Sequence, residues 1–233
     1  RRVLFRSVKP KELAGDPDNR WLARGPARRL SAEMLRDQAL WVSGLMVDKI
    51  GGPSVKPYHP DGLWEMTMGG GHYQVGKGDD LHRRSLYTFW KRTVPPPSMM
   101  TLDAADRSYC VVRRQATSTP LQALVLLNDP QMVEAARHVA GRMLREGGVG
   151  PEQRVRFAFA LVTGRRPSKD EVSVLRRLLE EQEAHFQKDT AAAERLLKVG
   201  EKPVPGEHPP AQLAAATVMA QLLFNHDEAV MRR

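Results

Sequence analysis

The sequence predicts a mainly α fold, a helical domain carrying a small irregular β-containing insertion. Three observations predict it. From Ser118 onward, apolar residues recur at three and four, in runs opened by capping residues and prolines. Over residues 51 to 82, the front of an irregular middle part that extends to 117, no period is sustained, and Gly, Pro, His and Asp accumulate. Inside that middle part, Leu86–Trp90 and Tyr109–Val112 are short aromatic or β-branched runs that read as strands. The expected division is residues 1–16 as a lead-in and 17–233 as one domain, irregular over 51–117 and helical over 118–233.

In chain order, Asp16-Pro17-Asp18-Asn19 is a turn signal. Ser31 caps a helix in which Met34, Leu35, Ala39, Trp41, Val42, Leu45 and Met46 recur, expected to run to about Val47 with Trp41 in the core. In the loop that follows, Tyr58, Leu63, Trp64 and Tyr73 argue for order, and Gly69-Gly70-Gly71 for a mobile point. Pro95-Pro96-Pro97 excludes a ladder and enforces extended chain. Cys110 is expected to be buried in the second strand and inert.

Thr119 with Pro120 starts a helix whose LQALVLL segment is apolar enough to be buried, and Asp129 with Pro130 starts the next. That second helix, with Met132, Val133, Ala136, Val139, Ala140 and Met143 on one face, stops at Gly147-Gly148. Pro151 opens a helix through Leu161, closed by Gly164, and Ser168 with Glu171 is a capping box for a helix to about Lys188. Gly200–Pro210, with four prolines, is a linker or surface loop. The last helix, Ala211–Phe224, is apolar nearly all round and belongs inside the core.

The charge is unevenly spread. The chain carries a formal +9, with 20 basic against 12 acidic residues before Ser118 and 16 against 15 from there on, so a basic face is expected on the irregular part. One cysteine excludes an internal disulfide, and the chain contains no C-x-x-C-H for c-type haem. No apolar run is long enough for a membrane span and no export signal is visible, and a start without Met reads as a C-terminal fragment of a longer protein.

The basic pairs Arg83-Arg84, Lys91-Arg92 and Arg113-Arg114 border the two strand-like runs, and pairing of those strands would bring them together. Guanidinium forks beside aromatic rings suit sulfate, carboxylate or phosphate groups, with Trp64 as the aromatic most open to a surface contact. The competing reading pairs each arginine with a nearby acid such as Asp103 or Asp106. His59, His72 and His82 with Asp79 and Asp80 match no ligand spacing, so no metal site and no catalytic residue is assigned. The high pI comes without a helix-turn-helix, zinc-finger, RRM or KH signature, so no specific nucleic-acid binding is expected.

The run RRSLYTFWKRTVPPPSM, then LDAADR, then C-x-V-R-R, then T-x-TPLQALVLLNDPQ, resembles the planctomycete-specific domain of unknown function that follows c-type cytochrome modules in large exported proteins. The segments GGPSVKPYHPDGLWE, RVRFAFALVTGRRPSKDEV and LAAATVMAQLLFNHDE extend the resemblance over roughly residues 17 to 230. It implies a periplasmic or cell-surface location, a cytochrome c module of the same parent as a partner, and haem c on that upstream module and not in this chain. It transfers no catalytic residue. The expected function is a non-catalytic binding or scaffold module with an anionic polysaccharide as ligand. One alternative is part of an enzyme, hydrolytic or redox, with its site in residues 58–114. Another is a docking module for the haem domain, which would present an exposed apolar patch.

Overall fold

A computed structural model of the chain describes residues 15–22, 28–67 and 71–232. Ser31, in extended conformation, accepts a hydrogen bond from the Met34 N–H and opens α1 (Ala32–Ser43), which ends where Gly44 takes a φ of 75°. The early stop, four residues before the expected end, follows from that left-handed glycine. Leu35, Ala39, Leu40 and Val42 face inward, whereas Met34 and Trp41, seven residues apart on one stripe, face out. Trp41 is 70% exposed, which corrects its expected place in the core.

Beyond the irregular part and the short α2 (Pro97–Thr101), the helices follow the capping grammar of the sequence. They are α3 (Pro120–Asn128), α4 (Pro130–Glu146), α5 (Pro151–Thr163), α6 (Lys169–Lys188), α7 (Thr190–Leu197), α8 (Pro210–Phe224) and α9 (Asp227–Val230). Thr119 and Ser168 both form capping boxes, with Gln122 and Glu171 respectively. Helix α7 was not expected; Asp189 caps it, accepting from the Ala192 N–H at 2.8 Å. The sheet among the described residues is a two-residue pair, β1 (Arg28–Arg29) antiparallel to β2 (Met231–Arg232), with Arg28 opposite Arg232.

The core is centred on α4 and α8. Helices α4 and α8 pack on each other, and Ala135, Ala136, Val139 and Ala140 of α4 and Ala214, Ala215, Ala216 and Ala220 of α8 are all buried, small side chains that suit a close approach of helices. Helix α6 packs on the other side of α8 through Leu175 and Leu179, and α1 packs on α4. Helix α3 is buried only through Gln122 and Leu126; Leu121 and Leu124 are exposed, so the expectation of a buried LQALVLL helix holds for one face alone.

The two predicted strands do not form. Leu86 lies in a 3-10 turn, Ser85–Tyr87, followed by a single parallel bridge between Val55 and Thr88, and Tyr109–Val112 is exposed with no ladder partner. Cys110 is exposed with it, which corrects its expected burial. In the turns just before the first of these runs, backbone carbonyls are satisfied by a buried guanidinium group. Arg36 donates to the carbonyls of Arg83 and Leu81, each at 2.8 Å, and to the Gln131 side chain at 3.0 Å. Burial lowers its pKa to about 10, against the pull of Asp37 and Asp129. Of the expected lead-in, residues 1–14 lie outside the described residues, as do Gly69 and Gly70 of the expected mobile point.

Candidate functional site

Strand β1, the exposed segment Arg113–Ser118, the start of α3 and the tail from Asn225 to Met231 enclose an open cleft of about 710 Å³. Its position is set by a side-chain network built around Asp103. That residue sits at φ 64°, a left-handed conformation that Asp tolerates better than most residues, and turns its carboxylate back toward the segment before α3. The carboxylate accepts from the Thr117 N–H at 2.7 Å, the Thr117 hydroxyl at 2.9 Å and the Gln122 amide at 3.1 Å. Burial raises the pKa of Asp103, but these bonds and the charge of Arg29 outweigh it and hold the carboxyl below its ordinary value.

Gln122 does two things at once. Its oxygen accepts from the Thr119 N–H, closing the capping box, and also from Nη1 of Arg29, which donates to the Thr117 carbonyl as well. One edge of the Arg29 guanidinium is thereby fixed. On the other edge, Nε is buried without an acceptor among the described residues. Arg28 and Arg113 line the same cleft from exposed positions and make no ion pair among the described residues. Ala116, Ala123, Leu126, Val230 and Met231 supply aliphatic walls, and Asp227 is the single carboxylate in the lining among the described residues. The far wall is held by Arg165, which bridges Glu171 of α6 and Glu228 of α9.

Of the residues that the sequence nominated, Arg113 lines the cleft and the others are placed elsewhere. Arg83 is buried, donating to the carbonyls of Lys49, Gly51 and Pro53 with its guanidinium 3.8 Å from the Tyr87 ring. Arg84 lies 3.9 Å from Asp37, and Nη1 of Arg114 donates to both carboxylate oxygens of Glu33, at 2.7 and 2.9 Å. Both acids stand on α1 one turn apart, so the arginines do find carboxylates, though not the neighbouring Asp103 or Asp106. Burial raises the Glu33 pKa, and the hydrogen bonds and charge of Arg114 more than reverse that. Arg92 is exposed.

Trp64 is only 9% exposed, which corrects its expected surface role. It packs edge-on to Tyr73 and near Phe89, with the ammonium groups of Lys91 and Lys56 at 4.3 and 5.3 Å from its ring. Arg28 and Arg29 were missed as site residues. They belong to a visible basic segment, but nothing in a two-residue strand announces that its partner lies at the far end of the chain.

A second cluster is sealed inside. His82 and Glu134 are fully buried, and Tyr58, Gln131, Arg137 and His138 surround them. His72 instead meets Glu65 at the surface and His59 stacks on Tyr73, so the three histidines are in three different settings. Among the described residues no group of three His, Cys, Asp or Glu side chains is placed to hold a metal ion.

A family model described as PSD1, protein of unknown function (DUF1553), matches residues 5–179. The chain belongs to this family. Neither a curated protein nor a solved structure matches it. The PSD1 span includes β1, Arg113 and the start of α3, yet stops within α6, whereas the far wall of the cleft and the central helix α8 come from beyond it. No helix among the described residues is long and apolar enough to cross a membrane.

Proposed function

We propose that the chain is a non-catalytic binding or scaffold module whose arginine cleft takes an anionic polysaccharide. One observation carries the reading: among the described residues Arg28, Arg29 and Arg113 line a cleft of about 710 Å³ with a single carboxylate, a lining of net positive charge. Arg29 is held in advance, which lowers the entropy lost on binding, and guanidinium groups suit oxyanions. On the resemblance drawn above, the parent is an exported planctomycete protein, the module is periplasmic or at the cell surface, and its partner in the parent is a cytochrome c module. Haem c, where present, is attached to that partner. Specific nucleic-acid binding forms no part of the reading.

The enzyme alternative in residues 58–114 finds little support, because its best acid–base pair, His82 with Glu134, is closed to solvent. Docking onto the haem domain has a specific observation in its favour. Tyr109, Val111, Val112, Leu121 and Leu124 are exposed on the segments that border the cleft.

Titrating the domain with a sulfated polysaccharide, a neutral one and duplex DNA, at low and near-physiological salt, tests the proposal against an Arg28→Ala/Arg113→Ala variant. Sulfated-glycan binding that survives physiological salt, exceeds DNA binding and falls in the variant is the expected result. Equal, salt-erased binding to both polyanions, or none, overturns it and leaves docking.

A further inference from the structure

We propose that the cleft reads the acidic substituents of its polysaccharide and not the sugar ring, with Arg29 as the selective contact. This rests on the reading of the cleft as a polyanion site and states what it would discriminate. Sugar rings are gripped through their C–H faces by flat aromatic side chains, which bring a large apolar area to a weakly hydrated face. Among the described residues no aromatic side chain lines this cleft; its apolar walls are Ala116, Ala123, Leu126, Val230 and Met231. The aromatic cluster of Trp64, Tyr73 and Phe89 is occupied by the chain's own Lys56, whose ammonium lies 5.3 to 5.8 Å from all three ring centres. Discrimination in the cleft is therefore left to charge.

Within the charged set the three arginines differ. Arg28 and Arg113 are exposed and adjust to whatever spacing a chain of acidic groups presents. Arg29 is tied through Nη1 to Thr117 and Gln122 and its Nε is enclosed, so Nη2 is the donor left for an incoming oxyanion. Such a site accepts an acidic polymer whatever backbone carries the acid.

The test compares dextran sulfate, chondroitin sulfate, uncharged dextran and polygalacturonate by calorimetry. The two sulfated polymers, which share no backbone, are expected to bind within about threefold of each other per sulfate, and dextran not to bind. Arg29→Lys keeps the charge but loses the guanidinium group held in place by Thr117 and Gln122, and should weaken both sulfated polymers by the same factor, about tenfold. The Arg28→Ala/Arg113→Ala variant, altered only at exposed side chains, should weaken both and flatten the salt dependence from a log–log slope of about 2 to 3 toward 1. A tenfold or larger preference for one sulfated backbone overturns the inference while leaving the polyanion reading in place, and so does binding of dextran beside the charged polymers. Absence of binding to all three charged polymers overturns both. Unchanged affinity in both variants places the binding elsewhere and overturns the assignment to Arg29. Binding of polygalacturonate on a par with the sulfated chains supports the inference, since only charge is then being read.

Discussion

Nε2 of His82 lies 2.9 Å from Oε2 of Glu134, and neither side chain reaches solvent. The pair joins parts of the chain that share no ladder. Glu134 stands on α4, His82 closes the 3-10 turn Gly78–His82, and the other oxygen of Glu134 accepts from the Lys202 N–H at 2.8 Å. Arg137, one turn on, donates to the carbonyls of Leu197 and Lys202, and His138 meets the Lys202 carbonyl at 2.9 Å. The loop after α7 and the loop before Arg83 are thus both fastened to the central helix by one set of buried polar side chains.

Removing the carboxylate from this joint should be costly. Glu134→Ala leaves His82 and the Lys202 N–H without their acceptor in the interior and removes the carboxylate 4.0 Å from Arg137, and a destabilisation of about 3 kcal/mol or more is expected. Urea denaturation of the variant beside Glu134→Gln checks it. The glutamine, which keeps one acceptor oxygen, should lose less.

The same cluster makes stability depend on pH. Burial, assisted by Arg137, lowers the pKa of His138 below its ordinary 6.5, against the Lys202 carbonyl and Glu134, which raise it. A depressed histidine is neutral in the folded protein, so its contribution is fully present above pH 6.5 and is lost as pH falls through the lower, folded value. Glu134 adds a second loss at more acid pH. Burial raises its pKa, but His82, the Lys202 N–H and Arg137 together hold it below 4.5, so its contribution fades as pH falls beneath that point. Denaturation midpoints between pH 7 and 5 should therefore decline, and less so in His138→Gln, whose amide can still donate to the Lys202 carbonyl.

Gly200 shows how tightly the second loop is seated. Its φ is 88°, and a Cβ there would stand 2.6 Å from both Cβ and Cγ of Glu134. Gly200→Ala meets a left-handed strain of about 1 kcal/mol and a clash with a side chain that cannot move without breaking its own bonds. A loss of about 2 kcal/mol or more is expected, and amide exchange should quicken over residues 198–204 first.

The helices were legible because their signals are local. Ser31, Thr119, Asp129, Ser168 and Gly164 each mark a terminus through their own backbone and its nearest neighbours, and each stands where the pattern placed it. The irregular part was not legible, because its order depends on partners far away. Arg36 holds Leu81 and Arg83, Arg83 holds Lys49 to Pro53, and a basic pair in sequence does not say whether it faces a carbonyl, an acid or solvent. The cleft was half legible for the same reason. Arg113 could be nominated from its run, while Arg29 becomes a site residue only through Gln122, 93 positions on.

Arg83 separates the two roles that the sequence leaves open to the basic pairs. Its guanidinium is enclosed, with three backbone carbonyls as acceptors and the Tyr87 ring beneath it, so it supports the loop from Lys49 to Pro53 and faces no ligand. Arg83→Ala strands those carbonyls and should cost about 2 to 3 kcal/mol, since bonds to a charged donor are worth more than neutral ones. Arg83→Lys should recover only part of that, because one ammonium cannot reproduce the fork. Measured well below the melting transition, both variants should bind a sulfated polysaccharide like the parent protein, in contrast with Arg28→Ala/Arg113→Ala. A fall in affinity at unchanged fold in Arg83→Lys would return this arginine to the binding surface and move the site away from the cleft.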